Sequence, residues 1–227
     1  MAITYALRDN IAEITLDDGK VNAMTLAFFQ DLGAVLDRAE KELPGAVVIT
    51  GRAGMFSPGL NLKVMPTLGP DELRQTLRTF GQTMLRVFTF PIPTVAAVSG
   101  HAVAGGAMLA FACDLRWVAE GPFRLHLNEV AIGLPLPTWA ITLAQSAIPP
   151  RFHTEALLHA RAYSPEEAFD CRIIHGVARP AETLLDAART AATPLAALDQ
   201  AAYAASSTRH VESALPSSTT MISKSSR

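Results

Sequence analysis

Apolar and polar residues alternate at the start of the chain and then change to a helical spacing. The alternation from Ile3 to Leu7 resumes at Ile11 after a polar turn, which predicts a β-hairpin. From Thr25 onward, apolar residues recur every three or four positions, and Pro44-Gly45 ends this helix before an apolar strand at 46–50. The first unit is therefore two strands and a helix.

The same order of elements recurs further along the chain. A helical pattern from Leu73 to Val87 stops before Pro91, and strands are predicted at Thr94–Val98 and Leu115–Val118. Later helices are predicted near Trp139–Ile148, from Ser164 onward and through Leu184–Leu195. The alternation of strands and helices predicts an α/β fold.

The pattern divides the chain into three parts of unequal character. Residues 1–180 carry the strands and most helices, and 181–205 form a C-terminal helical region. Residues 206–227 are rich in Ser and Thr and have little apolar periodicity, so they bury little surface to offset the entropy of ordering. We expect this last part to be a loose tail.

The composition of the chain narrows the classes of molecule that it could bind. With 49% apolar residues the chain can build a substantial core, and a formal net charge of -2 gives no broad positive field for nucleic acid or anionic membranes. No apolar run is long enough to span a bilayer, and the start of the chain lacks a secretory signal pattern. Two cysteines, Cys113 and Cys171, indicate neither a disulfide framework nor a metal cluster. The cytoplasm is the expected location.

Two glycine-bearing segments are candidates for chemistry, at Phe56–Lys63 and His101–Asp114. Neither has the residues of a phosphate loop or of a dinucleotide fingerprint. Gly105 and Gly106 stand where a turn passes into an apolar helix, so free N–H groups could face a developing anion there. Close backbone packing is the alternative reason for such a glycine pair. Spacing alone leaves both interpretations open.

A third candidate is Glu129, an acid within the apolar run LHLNEVAIGLPLP. In isolation it is more often a partly exposed carboxylate at the end of a strand than a catalytic base. If the side chain lies in an apolar pocket, desolvation raises its pKa and suits it to proton transfer near neutral pH.

Four segments in fixed order decide between these interpretations: VNAM near Val21, FSPGLNLK, AAVSGHAVAGGAMLAFACDLR and LNEVAIGLPLP. Together they resemble the enoyl-CoA hydratase/isomerase family, also called the crotonase family, over roughly Ile3–Pro180. The acid segment is most similar to the branch that reads LNE and includes mitochondrial-type enoyl-CoA isomerases. The resemblance implies a crotonase-like spiral of strand-strand-helix units that forms two roughly perpendicular sheets, with C-terminal helices that build trimers or hexamers.

The resemblance also implies a site between the two glycine-bearing segments. The thioester oxygen would be held by the backbone N–H groups of Leu60 and Gly105, while Glu129 acts as acid and base. Pro58 matches a position that does not donate. The implied substrate-binding residues are Gly59, Leu60, Asn61, Leu62, Lys63, Gly105, Gly106 and Met108. Lys63 would meet a phosphate of coenzyme A or lie in solvent. Coenzyme A enters as part of the acyl-CoA substrate, so no separate cofactor and no metal are expected.

One departure from the family pattern bears on the reaction. Hydratases of the family hold water between two glutamates, and the position of the second is Met108 here. The resemblance therefore implies conversion of 3-enoyl-CoA to 2-enoyl-CoA by one carboxylate. Enoyl-CoA hydration is the alternative, and an acyl-CoA-binding protein with little catalysis is an alternative of another class. Met108 could line an acyl pocket or be an ordinary helix core residue.

Other departures concern structure. Asn61 stands where the family commonly has Asp and remains competent to cap a helix. Cys171-Arg172 and His175 replace the small and acidic residues usual before the last strand. His101 and His126 are expected to be structural. Because the tail does not resemble the family's terminal helices, the expected homo-oligomer is open to question.

Overall fold

The computed structural model describes residues 3–214. Nine strands are present in the described chain: β1 Ile3–Arg8, β2 Ile11–Leu16, β3 Ala46–Gly51, β4 Gly54–Ser57, β5 Thr94–Val98, β6 Gly100–Val103, β7 Leu115–Ala119, β8 Leu125–His126 and β9 Gly176–Ala178. The α-helices of this part are α1 Leu26–Glu42, α2 Pro70–Phe88, α3 Gly105–Ala112, α4 Thr138–Ala147, α5 Pro165–Asp170, α6 Leu184–Ala196 and α7 Gln200–Ala214. The predicted α/β class is confirmed.

The strands form two sheets. The large sheet has the order β1-β2-β3-β5-β7-β9, with only the β1–β2 hairpin antiparallel. The small sheet has the order β4-β6-β8, and both of its pairings are parallel. Parallel strands need crossover connections, which the strand-strand-helix repeat supplies.

The large sheet has an apolar core on each face. On β3, Val47 and Ile49 point to the main core, whereas Ala46 and Val48 join the cluster beneath α6. Strands buried on both faces read as continuous apolar runs, which is why 46–50 shows no polar alternation. The predicted C-terminal helix α6 thus covers one face of this sheet.

Local signals set the ends of the first helix. Thr25 caps α1 by accepting a hydrogen bond from the backbone N–H of Phe28 at 3.4 Å. Leu43 ends the helix in a left-handed conformation, with φ of 51°, and Pro44 follows. The helix buries one face, which consists of Phe28, Phe29, Leu32, Leu36 and Ala39.

Helix α7 continues to Ala214, so the first part of the tail predicted from 206 is helical, and its loose packing stays a prediction. Side chains early in α7 attach this helix to the body: Tyr203 donates to Asp114 at 2.9 Å, and Gln200 donates to the carbonyl of Gly45 at 3.2 Å. Residues 215–227 lie outside the described part, so the prediction for them stays a prediction. None of the helices within 3–214 is long and apolar enough to cross a membrane.

Candidate active site

The three candidate segments leave the small sheet at one edge. Ser57 ends β4, Val103 ends β6 and His126 ends β8, and these strands are parallel neighbours with β6 in the middle. The loop of Leu60, the turn of Gly105 and the turn of Glu129 therefore begin side by side. Ligands of open α/β sheets bind at the carboxyl ends of parallel strands, which makes this edge the candidate site.

Gly59 and Gly105 bring two of these segments into backbone contact. Gly59 has φ of +85°, and a Cβ on it would lie 2.6 Å from the amide nitrogen of Gly105. A Cβ on Gly105 would in turn lie 3.2 Å from the Cα of Gly59. Because no side chain fits between them, the two loops touch through their main chains.

The amide of Leu60 faces away from the hydrogen bonds that hold its loop. Met24 donates to the carbonyl of Gly59 at 2.8 Å and accepts from the N–H of Asn61 at 2.9 Å. In a parallel bridge of this form the N–H of Leu60 points to the opposite side. Gly105 opens α3, where an N–H has no intrahelical acceptor. No described residue accepts from either amide, which leaves both for a ligand.

Two polar residues hold the Leu60 loop, and the sequence analysis assigned a role to neither. Asn22 is buried with φ of 57°, and its side chain donates to the carbonyls of Leu16 at 2.8 Å and Phe56 at 3.1 Å. Ser57 donates through Oγ to the carbonyl of Asn22 at 2.7 Å and accepts from the N–H of Gly59 at 3.1 Å. The sequence signal for this support is the VNAM segment, because its Asn is the residue that holds the loop by hydrogen bonds.

The turn into α3 is strained at one residue and tightly packed at the next. Ala104 has φ of 50° and ψ of −121°, a conformation that suits glycine, and its N–H donates to the carbonyl of His126 at 2.9 Å. A Cβ on Gly106 would lie 2.0 Å from the carbonyl oxygen of Ser57. Gly106 is therefore required for close packing, the alternative that the sequence left open.

Glu129 is the buried carboxylate of this edge, with 9% of its surface exposed. Its Oε2 atom has no hydrogen-bond partner among the described residues. Burial raises the pKa of Glu129, and a hydrogen bond from its own backbone N–H offsets the rise only in part. The sequence analysis required desolvation of this side chain for a role as a base, and the structure shows that desolvation.

The other predicted residues of the first segment form the rim. Asn61 accepts from the backbone N–H of Lys63 through Oδ1 at 3.2 Å, and its carbonyl accepts from Val64 and Met65 at 3.0 Å. Asn61 therefore closes a turn, whereas the N-cap of the following 3₁₀ helix, Met65–Thr67, is Val64 rather than Asn61. Leu62 is 54% exposed and Lys63 is also exposed, so both side chains are accessible to a ligand at the rim.

Met108 and the two histidines occupy different settings. Met108 is 1% exposed and packs in the main core. His101 packs edge-on against Phe123 and accepts from the N–H of Arg124 at 3.2 Å, in line with a structural role. His126 bonds to the backbone of Ala160, burial lowers its pKa, and its Nδ1 has no described partner.

A cavity of about 190 Å³ lies beside the Leu60 loop. It is bounded by 24–27 at the start of α1, by 61–68, and by Glu72 and Thr76 of α2. Neither Glu129 nor Met108 lines it. It therefore adjoins the loop that carries the first amide donor rather than the carboxylate.

Comparison with protein families accounts for this arrangement of loops. The family model described as enoyl-CoA hydratase/isomerase matches residues 7–224. The chain belongs to the enoyl-CoA hydratase/isomerase family. The resemblance seen in the four sequence segments is thereby confirmed, while membership of the single-glutamate branch stays a prediction.

Solved structures of the family superpose closely on this chain. An enoyl-CoA isomerase of Mycobacterium tuberculosis has a TM-score of 0.90 and 34% identity, over 98% of this chain and 96% of that one. The human mitochondrial Δ3-Δ2-enoyl-CoA isomerase has a TM-score of 0.85 and 26% identity, over 100% of this chain and 93% of that one. The crotonase fold is confirmed.

Curated relatives carry two kinds of name. A putative enoyl-CoA hydratase of Thermus thermophilus is 34% identical over 79% of this chain and 72% of its own length. Human enoyl-CoA delta isomerase 1 is 28% identical over 74% of this chain, and the match spans 56% of its own length. The relatives therefore include both isomerases and hydratases.

Proposed function

We propose that this protein converts 3-enoyl-CoA thioesters to 2-enoyl-CoA thioesters. The thioester oxygen accepts hydrogen bonds from the backbone N–H groups of Leu60 and Gly105. Glu129 removes a proton from C2, the electrons spread over the dienolate, and the same carboxyl group returns the proton to C4. The double bond moves from C3–C4 to C2–C3, and no atom is gained or lost.

One observation carries this proposal: two unpaired amide donors and a buried carboxylate with one unpaired oxygen occur on three adjacent loops. An enolate places negative charge on the thioester oxygen, and each preorganised donor there contributes about 10²- to 10³-fold in rate. A carboxylate whose pKa is raised by burial is a stronger base than an exposed one, which suits removal of a carbon-bound proton.

Met108 supports a double-bond shift over water addition. Hydration needs a group that orients water and delivers a proton, and an apolar side chain in the core offers neither. Isomerisation requires one acid-base group, so Glu129 suffices.

Enoyl-CoA hydration is the second candidate, favoured by the names of relatives. One Mycobacterium tuberculosis protein similar to this chain is described both as an enoyl-CoA isomerase and as a probable enoyl-CoA hydratase. Glu129 would then activate water together with backbone groups. Binding of both thioesters without turnover would instead indicate an acyl-CoA-binding protein.

The proposal is tested by assaying the purified protein with 3-enoyl-CoA and 2-enoyl-CoA side by side. We expect isomerisation to dominate in the wild type. Met108→Glu, which places a second carboxyl group one turn after Gly105, should gain hydratase activity and lose stability. Faster hydration of 2-enoyl-CoA than isomerisation of 3-enoyl-CoA by the wild type would contradict the proposal.

The proposal extends to the rim and to assembly. Lys63 is exposed beside the Leu60 loop and would meet a phosphate of coenzyme A as a flexible point charge.

A homo-oligomer, trimer or hexamer, follows from the family resemblance and gains support from the helical conformation of α7 up to Ala214. Light scattering on the full chain measures the subunit number, and a monomer at micromolar concentration would contradict this part.

A further inference from the structure

The direction of the first amide donor is set by the peptide unit that joins Gly59 to Leu60. A trans peptide is planar, so its carbonyl and its N–H point in opposite directions. The carbonyl of this unit accepts from the N–H of Met24 at 2.8 Å, so the N–H of Leu60 points away from Met24. Glycine places few steric limits on its dihedral angles, so Gly59 alone would let this unit rotate. The loop therefore needs a second fixed point.

The hydroxyl of Ser57 is that second fixed point. It accepts from the N–H of Gly59 at 3.1 Å and donates to the carbonyl of Asn22 at 2.7 Å. Ser57 is fully buried, so water does not compete for either bond. Pro58, which lies between Ser57 and Gly59, adds a fixed φ. One hydroxyl thus ties the loop of the first donor to the segment between β2 and α1.

Asn22 holds the other end of this connection. Its side chain donates to the carbonyls of Leu16 at 2.8 Å and Phe56 at 3.1 Å, and its Oδ1 accepts from the N–H of Asp18 at 3.0 Å. Its φ of 57° lies in the left-handed region, which asparagine adopts more readily than most residues. The carbonyl that accepts from Ser57 therefore belongs to a residue held in place by its own side chain.

Ser57 also packs against the segment of the second donor. Its carbonyl oxygen would lie 2.0 Å, and its Cβ 3.0 Å, from a Cβ on Gly106. Gly106 directly follows Gly105, whose N–H is the second donor. Ser57 is therefore in contact with the start of α3 while its hydroxyl holds the loop of the first donor.

We propose that Ser57, anchored by Asn22, is a positioning residue that fixes the direction of the Leu60 N–H relative to that of Gly105. The inference rests on the proposed function, in which these two N–H groups hold the thioester oxygen. Ser57 acts through the peptide between Gly59 and Leu60 and does not itself meet the substrate. Loss of its hydroxyl leaves the N–H of Gly59 without its acceptor and lets that peptide rotate.

The test removes one hydroxyl at each of two positions. Ser99→Ala is the matched control for Ser57→Ala, because Ser99 also donates to a distant backbone carbonyl, that of Arg52 at 2.9 Å. Ser99 precedes β6 and so lies at the opposite end of that strand from Gly105. Each variant loses one hydrogen bond of this kind, so both melting temperatures should fall by about 2–4 °C.

The kinetic constants of the two variants should differ. In Ser57→Ala we expect kcat for 3-hexenoyl-CoA to fall about tenfold while KM stays within about twofold, because a misdirected donor is missed chiefly in the transition state. In Ser99→Ala both constants should stay within about twofold of the wild type. A role in folding alone would lower the melting temperatures and leave this difference absent.

Infrared spectroscopy measures the donors without turnover. The probe is butanoyl-CoA labelled with carbon-13 at the thioester carbonyl, whose stretching frequency falls when N–H groups polarise the bond. We expect a shift to lower frequency on binding to the wild type and to Ser99→Ala. In Ser57→Ala about half of this shift should be lost, since one of the two donors is misdirected.

The outcomes separate this inference from the proposed reaction. A wild type without isomerase activity, in which the infrared shift is present and is reduced only by Ser57→Ala, would refute the reaction and keep the inference. An active enzyme with equal shifts in wild type and Ser57→Ala would overturn the inference alone, as would equal losses in Ser57→Ala and Ser99→Ala. No shift in the wild type would overturn both.

A second variant replaces Ser57→Ala if that protein does not fold. Asn22→Gly suits the φ of 57° and removes the side-chain donors that hold the carbonyl beneath Ser57. The same reduced infrared shift is expected, and an unreduced shift in Asn22→Gly would overturn the inference.

Discussion

Buried charged groups differ in their hydrogen bonding between the large sheet and the carboxyl edge of the small sheet. In the large sheet, Glu13 of β2 accepts two hydrogen bonds from Arg189 of α6, at 2.6 and 3.0 Å. Arg116 of β7 donates to the carbonyls of Ile173 at 2.9 Å and Cys113 at 2.7 Å. At the small-sheet edge, Oε2 of Glu129 has no such partner in the described chain.

The difference separates structural charge from charge held for a ligand. A buried ionised group costs several kcal/mol unless hydrogen bonds replace its water, and the large sheet provides them. At the small-sheet edge, one unpaired carboxylate oxygen and two unpaired amides lie on neighbouring loops, an arrangement that is retained when a ligand completes it. The comparison predicts that mutations at the two regions change different measured quantities.

The largest effect is expected for Glu129→Gln, which keeps the shape and removes the base. Turnover of 3-enoyl-CoA should fall by about 10²-fold or more, because proton transfer loses its acceptor. The melting temperature should hold or rise, since a desolvated carboxylate is gone. Activity within a few-fold of the wild type would remove Glu129 from the mechanism. It would also contradict the distinction between charge held for a ligand and structural charge in the large sheet.

The pH dependence of activity and of stability tests the same role of Glu129. Activity needs ionised Glu129, so kcat/KM should fall about tenfold per pH unit below a midpoint that lies above the ordinary pKa of Glu. The folded-state pKa is raised, so this group lowers stability as pH rises from the unfolded pKa through the folded one. The loss is complete above the folded pKa. A pH-rate profile and pH-dependent melting of wild type and Glu129→Gln measure both effects.

In the large sheet, Arg189→Ala should change stability and leave catalysis intact. It strips the carboxylate of Glu13 of its partner, at a cost of about 1–3 kcal/mol in the free energy of unfolding. Arg179→Ala breaks an exposed pair with Glu166 and serves as the control, with a cost of about 0–1 kcal/mol. Urea unfolding measures both. A loss of kcat in folded Arg189→Ala would contradict the separation of structural charge in the large sheet from charge held for a ligand.

The smallest effect concerns the strained turn before α3. Ala104→Gly relieves strain of about 1–3 kcal/mol but adds about 0.5–1 kcal/mol of unfolded-state entropy, so we expect a net gain in stability of about 0–2.5 kcal/mol. Ala107→Gly, in the same helix with ordinary geometry, should lose about 1 kcal/mol. Equal destabilisation of both variants would show that the turn at Ala104 is unstrained.

The sequence predicted the elements whose signals are local. The Thr25 cap, the Pro44-Gly45 stop and the continuous apolar run at 46–50 each act within a few residues, and their elements lie where expected. Helix α7 was missed beyond 206 because it is attached by the side chain of Tyr203, which bonds Asp114 89 residues away. Such a contact leaves no periodic trace in the sequence.

The candidate site was only partly predictable for the same reason. Gly105 and Glu129 were chosen by resemblance, since spacing left a glycine pair and one acid ambiguous. The support of the Leu60 loop was not foreseen: Asn22 meets Phe56 and Ser57 only after β4 has been placed beside the segment that joins β2 to α1. Burial of Glu129, which sets its pKa, is likewise a property of tertiary packing.

The contact between Gly59 and Gly105 has a consequence for diversification. Main-chain atoms set the spacing of the two N–H groups, so replacement of exposed side chains elsewhere on these loops leaves that spacing unchanged. Such exposed side chains can then vary without moving the two N–H groups. A library built at the exposed Leu62 should therefore yield many active variants, whereas one built at Gly59 should yield few active proteins.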